Sequence, residues 1–127
     1  MSYFEEVKAI VVELGFVPEN EDPEGTLFVI TDEDRGILNL VVDCQDDILR
    51  LEQVIGLITP KTDFRQLLAM NRELVHGAYA LGRQGKRIIW IDTLQLANLD
   101  PNELEGSFDA LSLAVAEHGS QLVEMLN

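Results

Sequence analysis

Cysteine is almost missing from this chain. Cys44 stands alone among 127 residues, so no intramolecular disulfide can form and no cysteine-rich metal site can be built. Basic side chains are also scarce, with nine Lys and Arg against 23 Asp and Glu and a formal net charge of −14. A polyanion or an anionic lipid surface is bound chiefly through positive charge, so this balance argues against nucleic acid and membrane partners. No apolar run approaches the roughly 18–20 residues that span a bilayer. The opening Met1-Ser-Tyr-Phe-Glu-Glu6 lacks a basic stretch followed by an apolar one, so no secretory leader is expected. Together these absences predict a cytoplasmic protein.

The familiar catalytic patterns are missing too. His76 and His118 have no companion at metal-ligand spacing, and no Gly-rich loop joins a strand to a helix in the manner of a phosphate cradle. Gly82-Arg-Gln-Gly85 connects two strand-like runs instead. No Ser or Cys sits in a nucleophile signature. Cys44 lies beside Asp43 and just before Asp46 and Asp47, whose charge disfavours a thiolate. Glu19, Glu21, Asp22 and Glu24 do not follow the ligand order of a calcium loop, and Asp32, Glu33 and Asp34 read as a solvated turn. The expectation is a chain without catalytic residues, cofactor or metal.

What is present is enough for one core. Hydrophobic residues make up 46% of the chain and charged residues 25%, as in ordinary globular proteins. No linker, repeat or low-complexity segment divides residues 1–127, so a single domain is expected. Ser2 to Glu5 reads as a capping box, followed by Phe4, Val7, Ile10, Val11 and Leu14 on one helical face, with Gly15 as the stop. Pro18 to Gly25 is acidic and turn-rich, a surface loop. Three strands follow, at residues 26–31, 37–42 and 48–55, joined by the short acidic segments 32–36 and 44–47. In the third, Leu49, Leu51 and Ile55 alternate with Arg50 and Glu52, which gives one buried face and one wet face. Asp63 caps a second helix with its stripe at Phe64, Leu67, Leu68, Asn71, Leu74 and Val75, closed by Gly77. His76 falls in its last turn. A second hairpin pairs residues 78–81 with 86–92, placing Trp90 in a core strand. Asp100-Pro101-Asn102-Glu103 then opens a terminal helix, which the His118-Gly119 pair weakens in the middle. The predicted class is α+β: an antiparallel sheet with helices packed against it, in the order α-β-β-β-α-β-β-α.

Charge is unevenly spread along these elements. Lys61, Arg65, Arg72, Arg83, Lys86 and Arg87 face only Asp63 and Glu73 between residues 61 and 90, a local +4 that leaves −18 for the rest. A basic central module that meets an acidic surface, on a second subunit or on a client, is one reading of this pattern. Acids that merely keep the other surfaces solvated are the alternative.

This order of elements resembles the type III secretion chaperone-like superfamily, which includes the Tir-chaperone (CesT) type proteins and the YbjN-like domains. The motifs that carry the resemblance are Phe64-Arg-Gln-Leu-Leu-Ala-Met-Asn71, Gly77, the hairpin from Ala78 to Ile91, and Leu99-Asp100-Pro101. The resemblance implies a homodimer that binds a polypeptide client without nucleotide or metal, in part by strand addition. A YbjN-like regulatory or stress-related domain, bound to a regulatory protein, is the alternative. A small-molecule-binding domain or an unrecognised enzyme is a third, and it requires an enclosed polar pocket. The expected client-binding residues are Leu38, Leu40, Leu49, Leu51 and Ile55 on the apolar strand faces. Helix two and the following hairpin are assigned to dimerisation by the resemblance, with Met70 and Leu74 as the expected contacts.

Overall fold

The computed structural model describes residues 2–22 and 24–127, so Met1 and Pro23 of the predicted acidic loop lie outside the described residues. The elements are α1 (Tyr3–Glu13), β1 (Leu27–Asp32), β2 (Ile37–Gln45), β3 (Ile48–Leu57), α2 (Phe64–Met70), β4 (Ala78–Leu81), β5 (Arg87–Gln95) and α3 (Pro101–Met125). The predicted order and class are therefore observed. All neighbouring strands are antiparallel, in the spatial order β1-β2-β3-β5-β4.

Each helix begins where its capping chemistry places it. The Ser2 hydroxyl accepts from the Glu5 N–H, Asp63 accepts from the Gln66 N–H, and Asp100 accepts from the Asn102 N–H with Pro101 at the first helical position. Gly119 does not interrupt α3, because His118 and Leu122 on either side of it are buried against the core and hold the helix in register.

Several predicted boundaries differ from the structure: β5 runs three residues past its expected end, to Gln95, and β3 two residues past its own, to Leu57. The β2–β3 turn is only Asp46–Asp47, since Cys44 and Gln45 still pair with Leu49 and Ile48; Asp46 absorbs the reversal at φ 56°. Helix α2 stops at Met70 and tightens into one 3₁₀ turn over Asn71–Glu73, so His76 lies beyond the helix. The Asn71 side chain explains the early stop. Its Oδ1 accepts from the Tyr79 N–H at 2.7 Å and its Nδ2 donates to the Tyr79 carbonyl at 3.2 Å. The amide thus closes both outward main-chain groups of Tyr79 on the edge strand β4.

One hydrophobic cluster fills the space between the sheet and the helices. Val7 and Val11 of α1, Leu67 and Met70 of α2, and Leu104, Phe108, Leu111, Leu122 and Met125 of α3 meet Phe28, Ile30, Leu40, Val42, Leu49, Leu51, Ile88 and Trp90. The strand residues share one side of the pleat: Phe28 is opposite Val42, Val42 opposite Leu51, and Trp90 opposite Tyr79. Full burial of one such Leu or Phe stabilises by about 1.5–3 kcal/mol. Gln53 is a buried polar residue of this face, beside half-buried Asp92, which accepts from the Ser107 hydroxyl of α3 at 2.7 Å. The Gln53 amide donates to the Gly36 carbonyl at 3.0 Å and accepts from the Leu38 N–H at 2.9 Å, bracing β2 to β3 beyond their last paired residues.

Trp90 packs on bare backbone. A Cβ placed on Gly77 would lie 2.6 Å from the indole ring, and Gly77 also holds φ 76°, where a side chain is strained. Beside it, the Tyr79 hydroxyl and His118 Nδ1 are 2.8 Å apart, and His118 is 3% exposed. With the ring proton on Nε2, the Tyr79 O–H donates to Nδ1 and the remaining N–H faces Glu73, 3.5 Å away. Burial, with Glu73 adding to it, pushes the Tyr79 hydroxyl up to about 12.

Two outcomes follow from this packing. Gly77→Ala should lower the unfolding free energy by about 2–4 kcal/mol, combining overpacking with the left-handed backbone penalty, as read from a urea titration; a loss below about 0.5 kcal/mol would contradict the Trp90 contact. Tyr79→Phe should cost about 1 kcal/mol at neutral pH. An unfolded tyrosine releases its proton near 10.0 whereas folded Tyr79 keeps it to about 12. The wild-type advantage is therefore complete below pH 10 and shrinks above it. Parallel pH profiles of the two proteins would contradict this.

Candidate functional site

The helices cover one face of the sheet and leave the other open. Cross-strand register defines what the open face carries. One row runs through Val29, Val41, Glu52, Ile91 and Ala78, and the next through Val54, Ile89 and Ala80, with Leu57 opposite Arg87 beyond it. On the other flank Asp43 stands opposite Arg50. Apart from Glu52, the centre of this face is aliphatic. Val54 is 51% exposed and Leu57 45%.

Ile89 is only 8% exposed although it points away from the helices, and it is not part of the main core. The β4–β5 turn accounts for this. Gly82 donates to the Arg87 carbonyl at 2.8 Å and Gly85 donates to the Gly82 carbonyl at 2.9 Å. This compact turn borders a cleft of about 530 Å³ lined by Val54, Leu57 and Ile89 and by Arg83, Lys86 and Arg87, with Glu52 at its side. Asp43 on the opposite flank is raised above the usual carboxylate range by burial, and the Gln45 amide, donating at 2.9 Å, partly offsets the rise.

A second apolar surface lies at the β4 end of the sheet. Phe64 and Leu68 on the outer side of α2 and Leu81 of β4 are exposed, Leu68 by 69%. With Leu67, Tyr79 and Ile88 they surround a cleft of about 340 Å³. A row of large apolar side chains facing water on a short edge element is the pattern expected of an interface.

The sheet edges are less available than strand addition would require. The predicted acidic loop runs beside β1, where Glu19 and Val29 exchange two hydrogen bonds of 2.8 Å and Asp22 donates to Leu27 at 2.9 Å. At β4, Asn71 occupies both main-chain groups of Tyr79. Binding at these positions would first have to displace existing bonds.

The site residues expected from sequence fall on different surfaces. Leu40, Leu49 and Leu51 are wholly buried under the helices and are closed to a partner in the folded chain. Ile55 is half-buried against the same core at the β3 bulge, and Leu38, at 49% exposure, alone among the five faces solvent. Met70 is core, and Leu74 packs against it. The reason is the side of the pleat. The alternation in β3 was legible, but its apolar side is the one that three helices need. The open-face residues had a weaker signal: Leu27-Phe-Val-Ile30 and Ile88-Ile-Trp-Ile91 are apolar at every position, so both sides of these strands are apolar.

The groups weighed for chemistry do not assemble into a catalytic site. Burial first, and Asp43 second, push the Cys44 thiol up to about 11, away from nucleophilic thiolate. His118 is held by Tyr79, and His76 lies apart from it, beside Gly106. Among the described residues no three His, Cys, Asp or Glu side chains come together as metal ligands, and no helix is long and apolar enough to cross a membrane.

The comparisons with known proteins agree with the fold. A chain in the complex of the Yersinia pestis type III secretion chaperone SycH with a stable fragment of YscM2 is 13% identical, with a TM-score of 0.60 over 98% of this chain and 99% of the other. YbjN from E. coli is 10% identical with a TM-score of 0.71, covering 98% of this chain and 94% of its own. A chain of the heterodimeric ExoU–SpcU complex from the type III secretion system of Pseudomonas aeruginosa is 16% identical with a TM-score of 0.58, covering 95% and 98%. No curated protein sequence matches the chain. The family model CesT_Tir_1 matches residues 1–127, from one end of the chain to the other, and the protein therefore belongs to the CesT_Tir_1 family.

Proposed function

We propose that the protein is a non-catalytic chaperone or adaptor of the cytoplasm. A pair of chains holds a partner polypeptide by side-chain contacts on the open sheet face. The observation that carries this reading is the one-sided cover of the sheet: Val54 and Leu57 are left in water beside Ile89 while every helix packs on the opposite face. Family membership supports it, and the similar chains solved with a YscM2 fragment or as a heterodimer with ExoU give it a precedent.

Self-association is assigned to the α2–β4 surface, with Phe64, Leu68 and Leu81 as the contacts in place of Met70 and Leu74. A twofold pairing would bury the same apolar patch from both copies, with exposed Arg65 and Arg72, one turn to either side of Leu68, at its rim. Because the edges are closed at Tyr79 and Val29, alternating side chains, and not an added strand, supply most of the partner's hold.

Leu68→Asp should convert a dimer to a monomer in light scattering with the circular dichroism spectrum unchanged, since the side chain is outside the core; a wild-type monomer, or a dimeric variant, would reject the interface. Val54→Asp should abolish affinity capture of the partner that wild type retains, by about 2 kcal/mol or more. Equal capture by both would reject the open face. A captured partner that keeps its own fold while bound would favour the regulatory-domain reading over the chaperone.

A further inference from the structure

The cations beside the open face make no salt bridge, although Arg83 is near enough to Asp43 to act on its carboxyl and Glu52 lies at the side of the cleft. Salt bridges among the described residues use Lys8, Arg35 and His118, and none involves Lys61, Arg65, Arg72, Arg83, Lys86 or Arg87. Arg50, opposite Asp43, makes none either, so what sets the β4–β5 turn apart is that its cations gather around one cleft. Three of these cations, Arg83, Lys86 and Arg87, border the cleft whose apolar lining is Val54, Leu57 and Ile89. The single acid there, Glu52, leaves the cleft at +2.

We infer that this cleft takes an acidic segment of the partner polypeptide, one in which a bulky aliphatic or aromatic side chain is flanked by Asp or Glu. The apolar side chain enters between Val54, Leu57 and Ile89. The flanking carboxylates meet the guanidinium groups of Arg83 and Arg87, which can hold them bidentately, and the Lys86 ammonium. Each feature excludes a different occupant. The aliphatic floor offers nothing to a bare polyanion, and the remaining charge of the chain repels one. The basic wall disfavours a basic segment by like charge. The cleft volume of about 530 Å³ lies in the range of roughly 300–1,000 Å³ that accommodates well-defined ligand groups. The partner segment would also approach through the field of a strongly acidic protein, so the local cations set where it can dock and in which direction it lies.

The inference rests on the open sheet face being the partner surface, and its test separates the two. Fluorescence anisotropy of the full chain would use a labelled peptide alternating Leu or Phe with Asp and Glu, its Lys-substituted and Gln-substituted counterparts, and polyglutamate. The acidic apolar peptide should bind best, and its affinity should fall about tenfold from low to high salt. The double variant Arg83→Glu/Lys86→Glu should weaken it about tenfold or more, and Arg83→Gln/Lys86→Gln by less. Equal binding of the Lys counterpart, no binding of the acidic peptide, or unchanged affinity in the charge-reversed variant would overturn the inference. Polyglutamate bound as tightly would overturn it in favour of a simple polyanion site. Salt-sensitive self-association abolished by the same reversal would overturn it in favour of a second copy as occupant. If Val54→Asp abolishes peptide binding and charge reversal does not, the basic wall is wrong and the open face stands. Loss on charge reversal with no effect of Val54→Asp would instead remove the open face as the binding surface.

Discussion

Packing on one side of a single antiparallel sheet determines nearly everything else about this protein. The 25 residues of α3 run across the strands with α1 and α2 beside it, and the buried side chains of all three meet the same side of the pleat. Trp90 is at the centre of that contact and can lie flat only because Gly77 presents no side chain. Once the helices are committed to that side, the period of two places Val54, Ile89 and Ile91 on the other, and the bulge between Val54 and Gly56 brings Leu57 to the same face, where no described element covers them completely. The open face follows from how the core is closed.

The closure of the edges gives that face its character. A sheet with an exposed flat edge recruits other strands without much selection. Here Asn71 spends its amide on Tyr79, and the segment around Glu19 lies along β1. Under the proposed function, recognition would rest less on main-chain bonds, which any polypeptide can make, than on side chains, which only some can match. The unpaired cations at the β4–β5 turn act in the same direction by giving the apolar strip a polarity.

The sequence made the element order plain because its signals were local. Asp100-Pro101, the Ser2 cap and the alternation Leu49-Arg50-Leu51-Glu52 each depend on a few neighbours, and each was observed. Which apolar stripes are covered, and where α2 ends, depend on distant contacts. Leu40, Leu49, Leu51 and Met70 lie on strongly apolar stripes, and the structure buries all four in the core. The end of α2 is set by the bond from Asn71 to Tyr79, which crosses eight residues and has no periodic signature in the sequence. The basic bias of residues 61–90 was visible as a count. That three of its members surround one aliphatic cleft depends on the hairpin turn bringing Arg83 over β3.

Methyl-resolved NMR of the isotopically labelled chain, titrated with its captured partner, tests the central claim most directly. On binding, the Val54, Leu57 and Ile89 methyl signals should shift or broaden first while those of Leu49 and Leu51 beneath the helices stay in place. Perturbation concentrated on the helix-covered side, at exposed Val12 and Leu113 for example, with Val54 and Ile89 unmoved, would contradict it.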